Sequence, residues 1–214
     1  MSNKFNIAVV GATGNVGREI LQILEQREFP IDNIYLLASS RSKGKKIEFK
    51  EQEIVVEDLA DFDFSKVQIG LFSPGGTVSA EYAPKAAKKG CIVIDNTSHF
   101  RMNDDVPLVV PEVNADILQD YFDDEDRSNI IANPNCSTIQ MVVALKPIHD
   151  AAIINRIVVS TYQSVSGAGK ENMDELWEQT KNIYANKNIE KKKFTKQIAF
   201  NTICLLYTSD AADE

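Results

Sequence analysis

The chain has 214 residues, of which 23 are Lys or Arg and 31 are Asp or Glu, for a formal net charge of −8. That balance excludes nucleic-acid binding through a broadly basic face, although one Gly-rich loop and one arginine can still hold a phosphate. A hydrophobic content of 43% against 25% charged excludes wholesale disorder, and three cysteines do not make a disulfide framework, so a reducing, cytoplasmic setting is expected.

The first strand is the apolar run Asn6 to Val10, stopped by Gly11. It is too short for the core of a secretory signal. No window approaches the ~20 apolar residues of a membrane helix, so no membrane partner is expected. Val16, Ile20, Ile23 and Leu24 recur at helical spacing over Val16 to Arg27, and Phe29-Pro30 ends that helix. Ile34 to Ala38 reads as a buried parallel strand. A polar, basic loop follows from Ser39 to Lys46, then two weaker strands near Ile47–Phe49 and Glu53–Glu57.

Val67 to Phe72 is the next buried strand, ended by Ser73-Pro-Gly-Gly76. An alanine-rich helix spans Val78 to Lys89, and Cys91 to Asp95 is again a strand. Val109 to Val113 is a short strand broken by proline, and the acidic run from Asp123 to Asp126 is a solvated loop. Ile130 to Ala132 leads into Asn133-Pro-Asn-Cys136 and a helix over Ile139 to Leu145. Strands alternating with helices predict an α/β fold with a doubly wound parallel sheet of Rossmann type.

After Pro147 the texture changes. Ile153 to Gln163 is β-branched and suits an antiparallel sheet, so the start of an α+β substrate and dimerisation domain is expected here. Ser164 to Gly169 is a small-residue turn. Glu171 to Tyr184 is a helix with Met173, Leu176, Trp177 and Ile183 as its apolar stripe.

Three strings carry chemistry. Gly11-Ala-Thr-Gly-Asn-Val-Gly17 joins a strand to a helix, where glycines permit a tight turn, approach of a pyrophosphate to backbone N–H groups, and close helix–strand packing. The second strand ends in Ala38-Ser-Ser-Arg-Ser42 rather than in the acid that grips a ribose in NAD sites. Arg41 offers a fork for a 2′-phosphate, which favours NADP; the alternative is a basic surface loop continuing through Lys43, Lys45 and Lys46. Cys136 opens a helix, a position at which dipole and N–H donors stabilise a thiolate nucleophile. Cys91 reads as a small buried residue. Arg101 can bind phosphate or carboxylate, while His99 is either a base or a packed side chain, and His149 reads as helix-terminal and structural. Two histidines without close Cys spacing give no zinc site, and no metal is expected.

Taken together, these strings resemble the aspartate-semialdehyde dehydrogenase family. The match also includes Asp95-Asn-Thr-Ser-His-Phe-Arg101, Val110-Pro-Glu-Val-Asn114, Asn133-Pro-Asn-Cys-Ser-Thr138 and Thr161-Tyr-Gln-Ser-Val-Ser-Gly-Ala-Gly169. The strings run in order over about residues 5 to 203. The resemblance implies an NADP-dependent, phosphate-linked aldehyde dehydrogenase serving lysine (through diaminopimelate), threonine and methionine biosynthesis. It would convert L-aspartyl-4-phosphate to L-aspartate 4-semialdehyde. It further implies Cys136 as the nucleophile that forms a thioester, with Asn135 and Gln163 at the substrate and Arg101 on the phosphate. Gly11, Thr13, Gly14, Asn15 and Val16, with Arg41 and Ser42, would contact NADP, and Ser166 and Gly167 would lie at its nicotinamide end.

The chain departs from the family pattern at its end. The family's second domain continues further and carries a histidine acid/base, which neither His99 nor His149 matches, and an arginine for the substrate carboxylate. Cys204 to Glu214 resembles translated adapter DNA. The expected organisation is therefore an NADP-binding domain at 1–148, an incomplete substrate and dimerisation domain at 149–203, and a non-native tail at 204–214. The family is a homodimer joined mainly through the second domain, so this fragment is not expected to form soluble dimers. It is expected to bind NADP weakly if at all, with little or no turnover. The rival readings are an N-acetyl-gamma-glutamyl-phosphate reductase, sharing the nucleotide fold and cysteine logic, and a non-catalytic nucleotide-binding module. A pure interaction protein leaves the glycine loop and the helix-start cysteine unexplained.

Overall fold

The computed structural model describes residues 4–124 and 126–203, which divide into two compact units, one up to Ile154 and one from Asn155. The expected boundary lay at 148/149, but the helix containing Pro147 continues to Ala152. Proline lacks only one N–H donor and kinks rather than ends a helix that is supported on either side. The expected tail, Cys204 included, lies outside the described residues.

The first unit is built on a seven-stranded sheet. Its strands are β1 (Phe5–Val10), β2 (Ile31–Ala38), β3 (Lys46–Phe49), β4 (Gln52–Asp58), β5 (Ile69–Phe72), β6 (Ile92–Asp95) and β7 (Ile130–Ala132), in the order β3-β4-β2-β1-β5-β6-β7. All neighbours are parallel except β3 and β4, which form an antiparallel hairpin. Lys50 and Glu51 turn that hairpin with φ of 48° and 62°, the left-handed two-residue turn that matches strand twist.

The period-two alternation of β1 sends its residues to two cores. Ala8 and Val10 join Leu37, Phe72 and Val93 under Ala83 and Ala86 of α2 (Gly76–Lys88). Ile7 and Val9 join Leu36 and Val56 under Leu21 and Leu24 of α1 (Asn15–Gln26). A sheet covered on both faces explains why its strands read as continuous apolar runs. The expected α1 stripe is shifted: Gly17, Leu21 and Leu24 are buried, whereas Val16 and Ile23 are exposed. Gly17 sets this register, because the helix lies closest to the sheet where it has no side chain.

Val109 to Val113 is not a strand. Pro111–Asn114 forms the one-turn helix α3, since proline is favoured at a first helical position and cannot donate to a ladder. Asn114 closes the turn, accepting from the Val110 N–H at 2.8 Å and donating to the Leu108 carbonyl at 3.0 Å. Ile117–Asp123 forms α4, an element the sequence reading did not expect, although Ile117/Tyr121 and Leu118/Phe122 recur at helical spacing. Cys136–Ala152 forms α5.

The second unit contains a short 3-10 turn at Val165–Ala168 and α6 (Lys170–Tyr184). The strand expected over 153–163 is absent. Among the described residues nothing pairs with this run, and a strand exists only through its ladder. The α6 stripe is also corrected. Trp177 is 62% exposed, while Glu175 and Gln179 are buried. Gln179 accepts from the main-chain N–H groups of Ile198 and Ala199, and Glu175 from those of Lys192 and Lys193. The 190–199 segment thus supplies donors that make a polar face the buried one.

Candidate active site

Five loops follow the carboxyl ends of β1, β2, β5, β6 and β7, and they carry most of the expected site residues. The chain moves outward in opposite directions from β1, through β2 on one side and β5 on the other. In such sheets the crevice at this reversal takes the ligand.

The glycine loop is held tightly from below. The N–H groups of Gly11 and Ala12 both donate to the Leu37 carbonyl, at 2.9 and 3.2 Å. Gly11 has φ +84°, and a Cβ there would lie 2.8 Å from the Ser73 carbonyl. A Cβ on Gly17 would lie 2.3 Å from the Gly11 oxygen. Gly14 caps α1 without a side-chain bond, no acid occupies the first turn, and Gly14, Asn15 and Val16 are exposed. Thr13 is half-buried in the same turn. This is a helix start suited to an anion.

Beside it, β2 ends without an acid of its own. Asp58, paired across from Ala38, turns its carboxylate to the Ala60 N–H. In the basic loop, Lys43 is bonded to Asp61 at 2.9 Å, which raises its pKa, and Lys46 to Glu53 at 2.7 Å. Arg41 is exposed and has no ion pair among the described residues. Ser42 is buried, and its hydroxyl accepts from Lys45 Nζ at 3.4 Å. Arg41 is therefore the exposed fork of the loop, and Ser42 its internal brace.

The thiol of Cys136 is exposed at the first residue of α5. Asn135 caps this helix, its side-chain oxygen accepting from the Ser137 N–H at 2.9 Å, so that oxygen is committed to the fold. Arg101 donates its Nε–H to the Asn133 carbonyl at 2.9 Å, leaving its Nη groups as the donors for an anion. The arginine and the thiol are thus joined through three residues of backbone. The other free cysteine, Cys91, is buried, and burial pushes its thiol up to about 12. His99 is exposed and edge-on to Phe100, with ring centroids 4.7 Å apart. His149 accepts from the Ile154 N–H at 3.1 Å, near the end of α5.

Reading the sequence missed the polar frame beneath these groups. Asp95 is fully buried, and its carboxylate accepts from the hydroxyls of Ser79 and Thr97, the latter at 2.6 Å. Asn96 and Asn133 are joined side chain to side chain at 3.0 Å. Their signal was positional: each asparagine immediately follows a parallel strand.

Gln163, Ser166 and Gly167 belong to the second unit, where all three are exposed. The Ser166 hydroxyl is bonded to that of Ser164 at 2.8 Å. An acidic hollow of about 550 Å³ in this unit is lined by Glu171, Asp174, Glu175, Glu178 and Lys193 and contains none of the expected site residues. Among the described residues no His, Cys, Asp and Glu cluster could hold a metal, and no helix is long and apolar enough to cross a membrane.

Residues 6–121 match the semialdehyde dehydrogenase NAD-binding domain, and residues 145–214 match the semialdehyde dehydrogenase dimerisation domain. An aspartate-semialdehyde dehydrogenase of Shewanella sp. (strain DB6705) is 55% identical over 203 residues, which cover 95% of this chain and 59% of that protein. The chain therefore spans about three fifths of that relative's length. A crystal structure of aspartate semialdehyde dehydrogenase II from Vibrio cholerae, complexed with ASA, superposes with a TM-score of 0.87 at 54% identity, over 94% of this chain and 58% of that one. The Candida albicans enzyme with NADP superposes with a TM-score of 0.59 at 27% identity, over 71% of this chain and 48% of that one.

Proposed function

The chain belongs to the semialdehyde dehydrogenase family, and from that premise we propose that it carries the nucleotide-binding and thiol-bearing part of an NADP-dependent, phosphorylating aspartate-semialdehyde dehydrogenase. The reaction is the reductive dephosphorylation of L-aspartyl-4-phosphate to L-aspartate 4-semialdehyde, on the way to lysine, threonine and methionine. The single observation that carries this reading is the exposed Cys136 thiol opening α5, with Arg101 bonded into the same loop. The aspartate-semialdehyde dehydrogenases it resembles support the substrate, and favour it over N-acetyl-gamma-glutamyl phosphate.

The Cys136 thiolate attacks the acyl carbon, a C–S bond forms, and the C–O bond to phosphate breaks. Arg101 takes the departing dianion on its Nη groups. Asn135 lies beside the acyl group, and Gln163 orients the substrate. The dinucleotide fits the loop after β1: Gly11 and Gly17 admit no Cβ, and the start of α1 carries no acid. Gly11, Thr13, Gly14, Asn15 and Val16 would hold its pyrophosphate. Arg41 would grip a 2′-phosphate with Ser42 bracing the loop, and Ser166 and Gly167 would meet the nicotinamide end. When bound, NADPH supplies the hydride that reduces the thioester. A nucleotide-bound relative supports the NADP assignment, and the dimerisation-domain match supports a homodimer of the whole protein. A cytoplasmic location goes with this reading.

The test is intact-mass analysis after mixing the chain with L-aspartyl-4-phosphate. The expected product is a single aspartyl adduct that maps to Cys136 and is absent from Cys136→Ser. An adduct that persists in Cys136→Ser, or no adduct on a folded chain, overturns the assignment.

A further inference from the structure

We infer that Asn96 and Asn133 form a latch that positions Arg101 against the loop bearing the thiol. The inference rests on the proposed roles of Arg101 and Cys136 and extends them to two residues to which the proposed reaction gives no part. Asn133 is held at three points. Its N–H donates to the Asp95 carbonyl at 2.8 Å, its side-chain amide donates to the Asn96 side-chain oxygen at 3.0 Å, and its carbonyl accepts from Arg101 Nε at 2.9 Å. These bonds join the loops after β6 and β7, the two that carry the arginine and the cysteine.

The base of the first loop is equally fixed. Asp95, with its two hydroxyl donors, closes β6. The Asn96 N–H donates to the Phe72 carbonyl at 2.8 Å, and Thr97 Oγ accepts from the His99 N–H at 3.4 Å. Arg101 is only half-buried, and a flexible arginine on a surface loop would otherwise sample many rotamers. The Nε bond selects among them only if the Asn133 carbonyl itself stays aimed. The Asn96 side-chain oxygen supplies that aim: with the bond from the Asn133 N–H to Asp95, it pins the residue from which the carbonyl projects. The pair acts on phosphate binding through Arg101, so Asn96 and Asn133 are positioning residues rather than catalytic ones.

The test compares Asn96→Ala, Asn133→Ala, the double variant and Asn96→Asp, which keeps the acceptor for the Asn133 amide. Two readouts are taken on the full chain. Solvent exchange of the Arg101 Nε–H, followed by NMR, reports the latch without any ligand. Protection of Cys136 from iodoacetamide by inorganic phosphate reports its consequence. Each alanine variant should speed Nε–H exchange by roughly tenfold, the order expected of one lost hydrogen bond. The double variant should be no faster than either single one, because both substitutions remove the same bond, and Asn96→Asp should restore slow exchange. Additive effects, or exchange unchanged in both single variants with a native melting profile, would overturn the latch. Arg101→Ala separates the two layers: if phosphate protects Cys136 equally without Arg101, the phosphate role fails while the exchange data still judge the latch.

Discussion

The Cα of Gly17 faces the carbonyl oxygen of Gly11 so closely that a Cβ there would lie 2.3 Å away, and 2.7 Å from the Ala12 Cα. Both obstacles are backbone, so neither can swing aside as a side chain would. This contact sets the distance between α1 and β1 and, with it, the shape of the nucleotide loop.

Gly17→Ala should therefore destabilise the first unit by about 3 kcal/mol, the upper range for forced overpacking. Gly167→Ala, which meets nothing within 4 Å, should change stability by less than about 0.5 kcal/mol. Urea titration of both variants checks the contrast, and equal stability of the two would show that the α1 contact is soft.

Arg41→Ala should weaken NADP binding roughly ten- to hundredfold, the value of one charge-assisted contact. NAD binding should change by less than about twofold, since NAD has no phosphate at that position. Titration of nicotinamide fluorescence with the two reduced cofactors measures both. An equal loss for both cofactors would remove Arg41 as the specificity determinant.

The two described cysteines should differ sharply in reactivity. Iodoacetamide under native conditions should label Cys136 and spare Cys91, as resolved by peptide mapping. Cys91 also predicts a pH effect. Burial raises its folded-state pKa from an ordinary 9.0 to about 12, so the folded state retains a proton that the unfolded state releases. Its stabilising contribution is complete below 9.0 and is lost as pH rises toward 12. Cys91→Ala should flatten the fall in stability between about pH 9 and about pH 12, as followed by urea titration.

Gln179→Ala should loosen the second unit and leave the first unchanged. The side chain is 1% exposed and holds Ile198, Ala199 and Glu190 by three main-chain bonds. Truncation leaves buried N–H groups unpaired, which costs about 1–3 kcal/mol each. Trypsin should then cut near Lys191, Lys192, Lys193 and Lys196 faster than in the unsubstituted chain. Cleavage within β1 to β6 should keep its original rate.

The alternation of strands and helices, the glycine loop and the helix-start cysteine were all legible in the sequence, because each rests on local rules. Buried parallel strands are apolar throughout, glycine marks backbone that a side chain would obstruct, and a polar residue before a helix caps it. The absence of an acid at the end of β2, and the basic loop that follows it, were legible for the same reason.

What local patterns could not decide was which partner each group finds. The α6 stripe of Met173, Leu176, Trp177 and Ile183 looked like the buried face, yet the 190–199 segment brings main-chain donors that bury Glu175 and Gln179 instead. The β-branched run at 153–163 has strand propensity but no ladder among the described residues, and propensity without a partner makes no sheet. Arg101 could be picked out as an anion binder, but its bond to the Asn133 carbonyl, 32 residues away, depends on β6 and β7 lying side by side. The sequence by itself determined most elements of the first unit and the place of the glycine loop, Arg41 and Cys136 beside them, because those follow from neighbours along the chain. Only the tertiary structure decided which faces are buried and which polar groups meet, because each buried donor or acceptor must be satisfied by whatever the fold places beside it.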